Sequence, residues 1–575
     1  MKNRFIIIAI AMLASLVSCD KFLDTMPDNR AEVDSKSKIH ALLTSGYPVV
    51  TYLTITSYLS DDVDKIGDDI PNSDRYIDQI YNWEEVTETD NDAPTEFWGN
   101  SWLCIAHANQ ALDAIYTLTG TSSIDDAATI AAKGYGAELA EALLIRAYSH
   151  FMLVNTFCLN YNKQTSATDL GIPYMEGLEQ ELNPKYERSN VAKVYEKIQK
   201  DLEIALQYVS DSYYTVPKYH FNARAAYAFA ARFYLFSEQW EKASDYATRC
   251  LGSQPATVLR NWEALGKLER DWDVISYEFV KSSYDANLLL LTSYSAFGYY
   301  FCYPGQQRYS HNSYLAFTED IFAKNVWGNT AAGYQPLSNW FFLRPGWYNG
   351  ATYDVITNMT IPYMFEYTDP VARIGYAHAV CPAFTTDETL LNRAEAYVMQ
   401  HEYDKATADI NTYIRSIVKP ANFPNDLSTE GIVNFYSAIG YGTWDNPTIK
   451  KKLNPAFNIG ADGGVQESML QCVLGMKRIN QLGQGLRWYD VKRYGIEIWR
   501  RTLEPDPKAG QYDAALKPKR LDDVLLAGDP RRAVQLPKDV IAAGMEPNPR
   551  TVGKPADRSL KPKDIPAEPI NSEQL

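Results

Sequence analysis

"ARAAYAFAARFYLFSEQWEKASDYATRCLG", residues 223–252, decides the fold. Two amphipathic stretches flank a short polar turn, Ser237-Glu238-Gln239. In the first stretch alanines alternate with aromatics at helical spacing, so a partner helix can approach closely. In the second, Trp240 opens the helix, Ala243 follows three residues later and Gly252 stands where a C-cap belongs. The stretch predicts an antiparallel helix pair.

A cousin lies at residues 387–417, "DETLLNRAEAYVMQHEYDKATADINTYIRSI", with Tyr403 and Ala406 in the places of Trp240 and Ala243. The aromatic-x-x-Ala spacing is the second-helix half of a tetratricopeptide repeat. The copies are degenerate and unevenly spaced, so they do not predict a regular solenoid. Three further stretches carry the helical period. Residues 97–116 align Trp98, Trp102, Ile105, Asn109, Leu112 and Tyr116, and residues 136–157 align Leu139, Ala142, Leu143, Ala147, Phe151 and Val154. Residues 191–209 form the third, with charges on the far side. The expected fold is mostly α, with four irregular helix pairs around 98–157, 191–209, 220–251 and 386–417.

From about 261 to 376 the helical period fades and Gly, Pro, Asn and aromatics take over, as in "SYSAFGYYFCYPGQQRYSHNSY" (293–314) and "SNWFFLRPGWYNGATYD" (338–354). This predicts an inserted sub-domain of short strands and loops. The expected organisation is a leader at 1–18, an N-terminal segment at 19–97, a helical body at 98–256, the aromatic insert at 257–382, a further helix pair at 383–420 and a C-terminal region at 421–575. From Lys508 onward the chain is rich in Pro and Lys and is expected to wrap the body as irregular structure.

The N-terminus reads as an export signal. Lys2 and Arg4 precede an apolar run at 5–17, short of the ~20 residues that a membrane-crossing helix needs. Leu16-Val17-Ser18-Cys19 has the form of a lipobox, so Cys19 is the expected acylation site and the first mature residue. Acyl chains gain ~0.8 kcal/mol per buried CH₂, enough for two or three to anchor a protein durably.

A net charge of −16 argues against a nucleic-acid partner, which requires a basic footprint. Cys104, Cys158, Cys250, Cys302, Cys381 and Cys472 lie far apart with no CxxC pair, which fits buried thiols rather than a zinc site; a single long-range disulfide stays open. No nucleophile elbow, P-loop, HExxH or GxGxxG motif occurs, and the 7 His are dispersed. With 41 Tyr and 12 Trp, aromatic residues exceed what a core of this size needs, and some rings are expected on a working surface.

These features resemble the SusD/RagB family of Bacteroidota surface lipoproteins along nearly the whole mature chain. The similarity runs through "CDKFLDTMPDN" after the lipobox and through Glu141, Arg146, Ala147, Tyr148 and Phe151. It continues in Arg393, Ala394, Glu395 and Tyr397, and in "GLRWYDVKRYG" with Gly485, Arg487, Asp490, Arg493 and Gly495. Asn480 and Gln484 stand where the family usually has glutamates. The resemblance implies a SusD-like helical fold and a cell-surface protein of the outer membrane. It further implies a lid that captures oligosaccharide and delivers it to a SusC-like TonB-dependent transporter. Peptide uptake, a tetratricopeptide scaffold and a surface glycosidase are the alternatives. No enzyme activity is expected.

The charged signature reads as structural. Asp490 is spaced to pair with Arg487 and Arg493, and Glu141 with Arg146 and Arg393 with Glu395 are the analogous expectations. The acidic run with Asp61, Asp62, Asp64, Asp68 and Asp69 reads as a solvated loop, with a structural Ca²⁺ as the alternative; no other cofactor is expected. A sugar ring stacks on an aromatic face while amides and guanidinium groups bond its hydroxyls. Trp340, Trp347, Tyr348, Arg344 and Asn349, with Trp327 and Trp83, are the expected ligand-binding residues, each with packing as its competing role.

Overall fold

The computed structural model describes residues 33–67, 74–179, 185–302, 308–329, 340–341, 347–349, 354–508 and 516–550. The helical body is built from α1 (Leu53–Leu59), α2 (Pro94–Thr119), α3 (Gly136–Phe157), α4 (Val191–Tyr208), α5 (Ala223–Phe236) and α6 (Trp240–Leu251). It continues with α7 (Thr386–Met399), α8 (Tyr403–Ile417), α9 (Val465–Asn480) and α10 (Arg487–Arg493). The fold is mostly α, as expected.

The quoted stretch forms the pair α5–α6. Asn222 caps α5 by accepting from the Ala225 amide at 3.0 Å, and Gly252 ends α6 at φ +73°. The α7–α8 pair repeats the arrangement. Both turns contain a non-glycine residue in the left-handed region, Glu238 in one and His401 in the other. The two pairs abut, and Gln400 Nε2 donates to the Trp240 carbonyl at 3.1 Å and to Ser244 Oγ at 3.0 Å.

Helix α3 departs from the expected amphipathic pattern, because its side chains from Glu138 to Phe157 are all buried. It is the central post against which α2 and α4 pack. Its polar residues are therefore paired, though not with the neighbours that sequence spacing suggests. Arg146 forms a bidentate pair with Asp201 of α4, at 2.7 Å to each oxygen. Glu141 accepts from Tyr47 Oη at 2.6 Å and lies 2.8 Å from His220 Nδ1. In α7 Arg393 clamps Asp409 of α8 at 2.7 and 2.8 Å, in the same way that Arg146 clamps α4. Glu395 turns instead to Lys477 at 2.8 Å, Arg493 at 2.6 Å and Tyr494 Oη at 2.7 Å. Asp490 pairs with Arg493 at 3.1 Å and with Lys477 at 2.9 Å, while Arg487 reaches across the chain to Asp61. A helical i, i+3 spacing permits a pair, as in Asp490–Arg493, but which carboxylate a buried guanidinium takes is set by the segment that packing brings against it.

The acidic run is likewise not a solvated loop. Asp61, Asp62 and Asp64 are buried. Arg487 binds Asp61 at 2.8 and 2.9 Å, Arg478 lies 3.3 Å from Asp62, and Arg501 lies 2.9 Å from Asp64. Glu319 completes this cluster through Arg501 at 2.6 Å, Arg478 at 3.1 Å and Lys451 at 2.5 Å. Four arginine and lysine side chains fill the place that a cation would take, which removes the argument for Ca²⁺ on these three carboxylates. Asp68 and Asp69 lie outside the described residues.

Three other buried cations rest on carbonyl oxygens. Arg500 donates to the carbonyls of Tyr58, Leu59, Ser60 and Tyr81 at 2.7–3.0 Å, just past the end of α1. Arg532 does the same at α10 through the Val491 and Ile496 carbonyls, and Lys492 holds the Asn155 and Cys158 carbonyls at the end of α3. The negative end of a helix dipole favours a cation there.

The insert adds β2 (Asn287–Ser293), β3 (Tyr309–Ser310), β4 (Lys324–Asn325), β5 (Gly328–Asn329), β6 (Trp347–Asn349), β7 (Val355–Thr357), β8 (Met364–Asp369) and β9 (Ile374–Thr385). These form a β2-β9-β8 antiparallel sheet and the small pairs β4-β5 and β6-β7. The insert also holds short helices, Trp272–Phe279 among them. β9 runs straight into α7, whose N-cap Thr385 accepts from the Glu388 amide.

A second sheet, ordered β11-β10-β1-β3, joins distant parts of the chain. It contains β1 (Asp64–Ile66), β3, β10 (Ile498–Pro505) and β11 (Leu516–Leu525). The C-terminal stretch expected to be irregular thus supplies β11, because β10 offers it an edge to pair with from Leu525 to Leu516. All six cysteines after Cys19 are free thiols, five of them buried.

The signature glycines have a backbone reason. Gly485 has φ +68°, and a Cβ there would stand 2.4 Å from Thr56 Oγ1; Gly495 has φ +55°, with the Asn454 carbonyl oxygen 2.3 Å from a Cβ. Neither position admits a side chain.

Candidate functional site

Ligand-binding rings must expose a face. Trp83, Trp327 and Trp340 do not: they are 3%, 4% and 2% exposed and belong to the main core. Trp83 donates to the Leu59 carbonyl at 3.1 Å and stacks under Arg500. Trp340 forms a bridge with Val418, at the end of α8. Packing is what these three indoles do: Trp327 and Trp340 anchor the insert in the core, and Trp83 of the N-terminal segment packs beneath Arg500. Trp347, Tyr348 and Asn349 form β6, paired with Thr357, Ile356 and Val355, and their side chains lie outside the described set. Arg344 and Cys19 lie outside the described residues.

The exposed rings gather elsewhere in the insert. The turn after β2 and the region of the β8–β9 hairpin carry seven rings, of which Tyr294, Phe365 and Tyr367 are exposed and Tyr299, Tyr300, Tyr363 and Tyr376 partly exposed. Tyr294 is 40% exposed and meets Tyr376 edge-on at 4.8 Å. Tyr299 lies 5.7 Å from Tyr363 and 5.9 Å from Tyr300. Phe365 and Tyr367, 41% and 52% exposed, lie 4.9 Å apart on β8. The sequence held a signal for this surface, the tyrosine-rich 293–314 segment, but the indoles drew the expectation away from it.

The turn is held rigidly, as a stacking surface requires. Asp92, 1% exposed, accepts from Ser295 Oγ at 2.6 Å and from the Ala296 amide at 2.9 Å. Burial pushes its carboxyl up to about 6. The Tyr294 amide bonds the Val49 carbonyl at 2.9 Å, and Tyr58 Oη bonds the Tyr300 carbonyl at 2.9 Å. Gly298 lets the backbone of Pro362 approach to 2.6 Å from where a Cβ would stand, which brings Tyr363 beside Tyr299. Across β8–β9, Glu366 pairs with Tyr376 in register, placing a carboxylate beside the phenol.

The surface offers apolar ring faces with hydroxyl and carboxylate groups at their edges. Among the described residues no group of three His, Cys, Asp or Glu side chains is arranged to hold a metal. This arrangement suits binding of a ligand with both apolar faces and hydroxyls.

Fold and surface together describe a helical-repeat body that carries partly exposed rings on an insert. Residues 21–235 match a SusD-like family described as starch-binding and associating with the outer membrane. Solved structures share the architecture over most of both chains. A SusD superfamily protein from Bacteroides thetaiotaomicron VPI-5482 is 17% identical, with TM-score 0.55, covering 89% of this chain and 98% of its own. A protein from Bacteroides vulgatus ATCC 8482 is 18% identical, with TM-score 0.59 and coverage of 90% and 99%. A SusD-like carbohydrate binding protein from the same strain is 15% identical, with TM-score 0.53 and coverage of 88% and 96%. At these identities the likeness carries the fold. Among curated proteins none matches this chain. The chain has a SusD-like fold. No helix among the described residues is long and apolar enough to cross a membrane.

Proposed function

We propose that this protein binds oligosaccharide on the Tyr294–Tyr376 ring surface, at the outer face of the outer membrane, and passes it to a SusC-like TonB-dependent transporter. The observation that carries this reading is the rigid grouping of seven exposed or half-exposed rings on the insert. Each ring stacked on a sugar contributes on the order of 1 kcal/mol. Three or four give about 3–4 kcal/mol, roughly millimolar affinity, to which hydrogen bonds to the sugar hydroxyls add. Acylation at Cys19 supplies the anchor. The role is binding rather than catalysis, in keeping with a family described by its starch binding.

A glycan array identifies the ligand, and titration calorimetry then compares variants. Tyr294→Ala with Tyr376→Ala is expected to lower affinity about tenfold or more, since two stacking contacts are lost, with little change in melting temperature. Normal affinity in that variant refutes the assignment.

A further inference from the structure

Between α4 and the α5–α6 turn lies an open groove of about 530 Å³ that shares no residue with the ring surface. Its volume falls in the roughly 300–1,000 Å³ range of small-molecule sites. Tyr161, Glu196, Gln199, Glu203, Gln207 and Gln239 line it.

Its long polar side chains face solvent yet are fixed in one hydrogen-bonded series. Gln239 Nε2 donates to Gln199 Oε1 at 2.9 Å and to Ser237 Oγ at 3.1 Å. Gln199 Nε2 donates to Glu203 Oε1 at 2.9 Å. The same oxygen accepts from Tyr234 Oη at 3.0 Å and from Lys242 Nζ at 2.9 Å. Immobilising such side chains costs rotamer entropy, and exposed ion pairs return little for it. Order of this kind in a concavity is preorganisation for a ligand.

The groove's charges are already matched. Lys242 meets Glu203, Lys193 meets Glu196 at 2.8 Å, and Lys200 meets Asp125 at 2.9 Å. A charged ligand would have to displace one of these partners. A neutral polyol has only to bond the remaining amide and carboxylate atoms. Tyr161, its ring tilted at 31° and 4.7 Å from that of Tyr195, presents a ring at the margin.

We propose that this groove is a second saccharide site, which takes a short neutral oligosaccharide with its hydroxyls on Gln199, Glu203 and Gln207 and a C–H face on Tyr161. The ligand class is shared with the ring surface; the site is not, and either can fail alone. The test is saturation-transfer NMR with maltoheptaose, laminariheptaose, cellopentaose and xylohexaose at millimolar concentration. It uses the full-length chain carrying Tyr294→Ala and Tyr376→Ala. At least one saccharide is expected to retain binding, and adding Gln207→Trp should weaken that binding about tenfold. Gln207 is exposed and its amide donates only to the Glu203 carbonyl, so this substitution fills the groove and leaves the fold and the side-chain series intact. Absence of binding by every saccharide to the ring variant overturns the proposal. So does residual binding that survives Gln207→Trp and, separately, Gln199→Ala. Wild-type affinity in the ring variant refutes the ring surface instead.

Discussion

Asp92→Asn probes the turn that carries the rings. Asp92 titrates near 6 because burial disfavours its charge, against about 3.9 in an unfolded chain. The native state therefore binds this proton more tightly than the unfolded state. A raised carboxyl pKa adds stability as pH falls through the folded value, and the gain is complete below the unfolded value. Linkage gives a rise of about 2 kcal/mol between about pH 7.5 and 4.5. Asparagine has no such titration. Its Oδ1 can accept from the Ala296 amide while its Nδ2 donates to Ser295 Oγ, so the turn survives. Urea denaturation of wild type and variant, followed by tryptophan fluorescence, should show their stability difference shifting by about 2 kcal/mol in favour of wild type over that span. Groups with the opposite dependence cancel in the difference, His150 among them, whose pKa burial lowers to about 3. A difference that stays constant with pH refutes the reasoning. Saccharide affinity at neutral pH should be unchanged in the variant.

Two further outcomes are expected. Glu395→Gln leaves buried Lys477 and Arg493 with Asp490 alone and should cost about 3–5 kcal/mol, read as a lower urea midpoint. Burial acts to raise the Glu395 pKa, but Arg493 and Lys477 hold it at about 2, so its stabilisation is present above about pH 4.3 and is lost as pH falls towards 2. Cys19→Ala should abolish incorporation of labelled palmitate and release the protein from the membrane fraction; equal labelling of both forms would exclude acylation at this cysteine.

Periodicity made the helix pairs legible, because a helix buries a stripe whose spacing is local. The cap residue Gly252 and the openers Trp240 and Tyr403 could be read directly for the same reason, whereas the cap Asn222 emerged only with the structure. The insert announced itself through loss of that period, and the motif glycines Gly485 and Gly495 through their fixed place in the signature. Partner choice was not legible. Arg487 finds Asp61, Arg146 finds Asp201 and Glu395 finds Lys477 only after distant segments meet, and no sequence spacing encodes that. Burial of the acidic run was hidden for the same reason, since its arginine partners lie more than four hundred residues away. Exposure of the rings was decided last. Residue type gives a ring's size, but whether Trp340 or Tyr294 faces solvent depends on which side of the insert packs against the helices, and tertiary contact alone sets that.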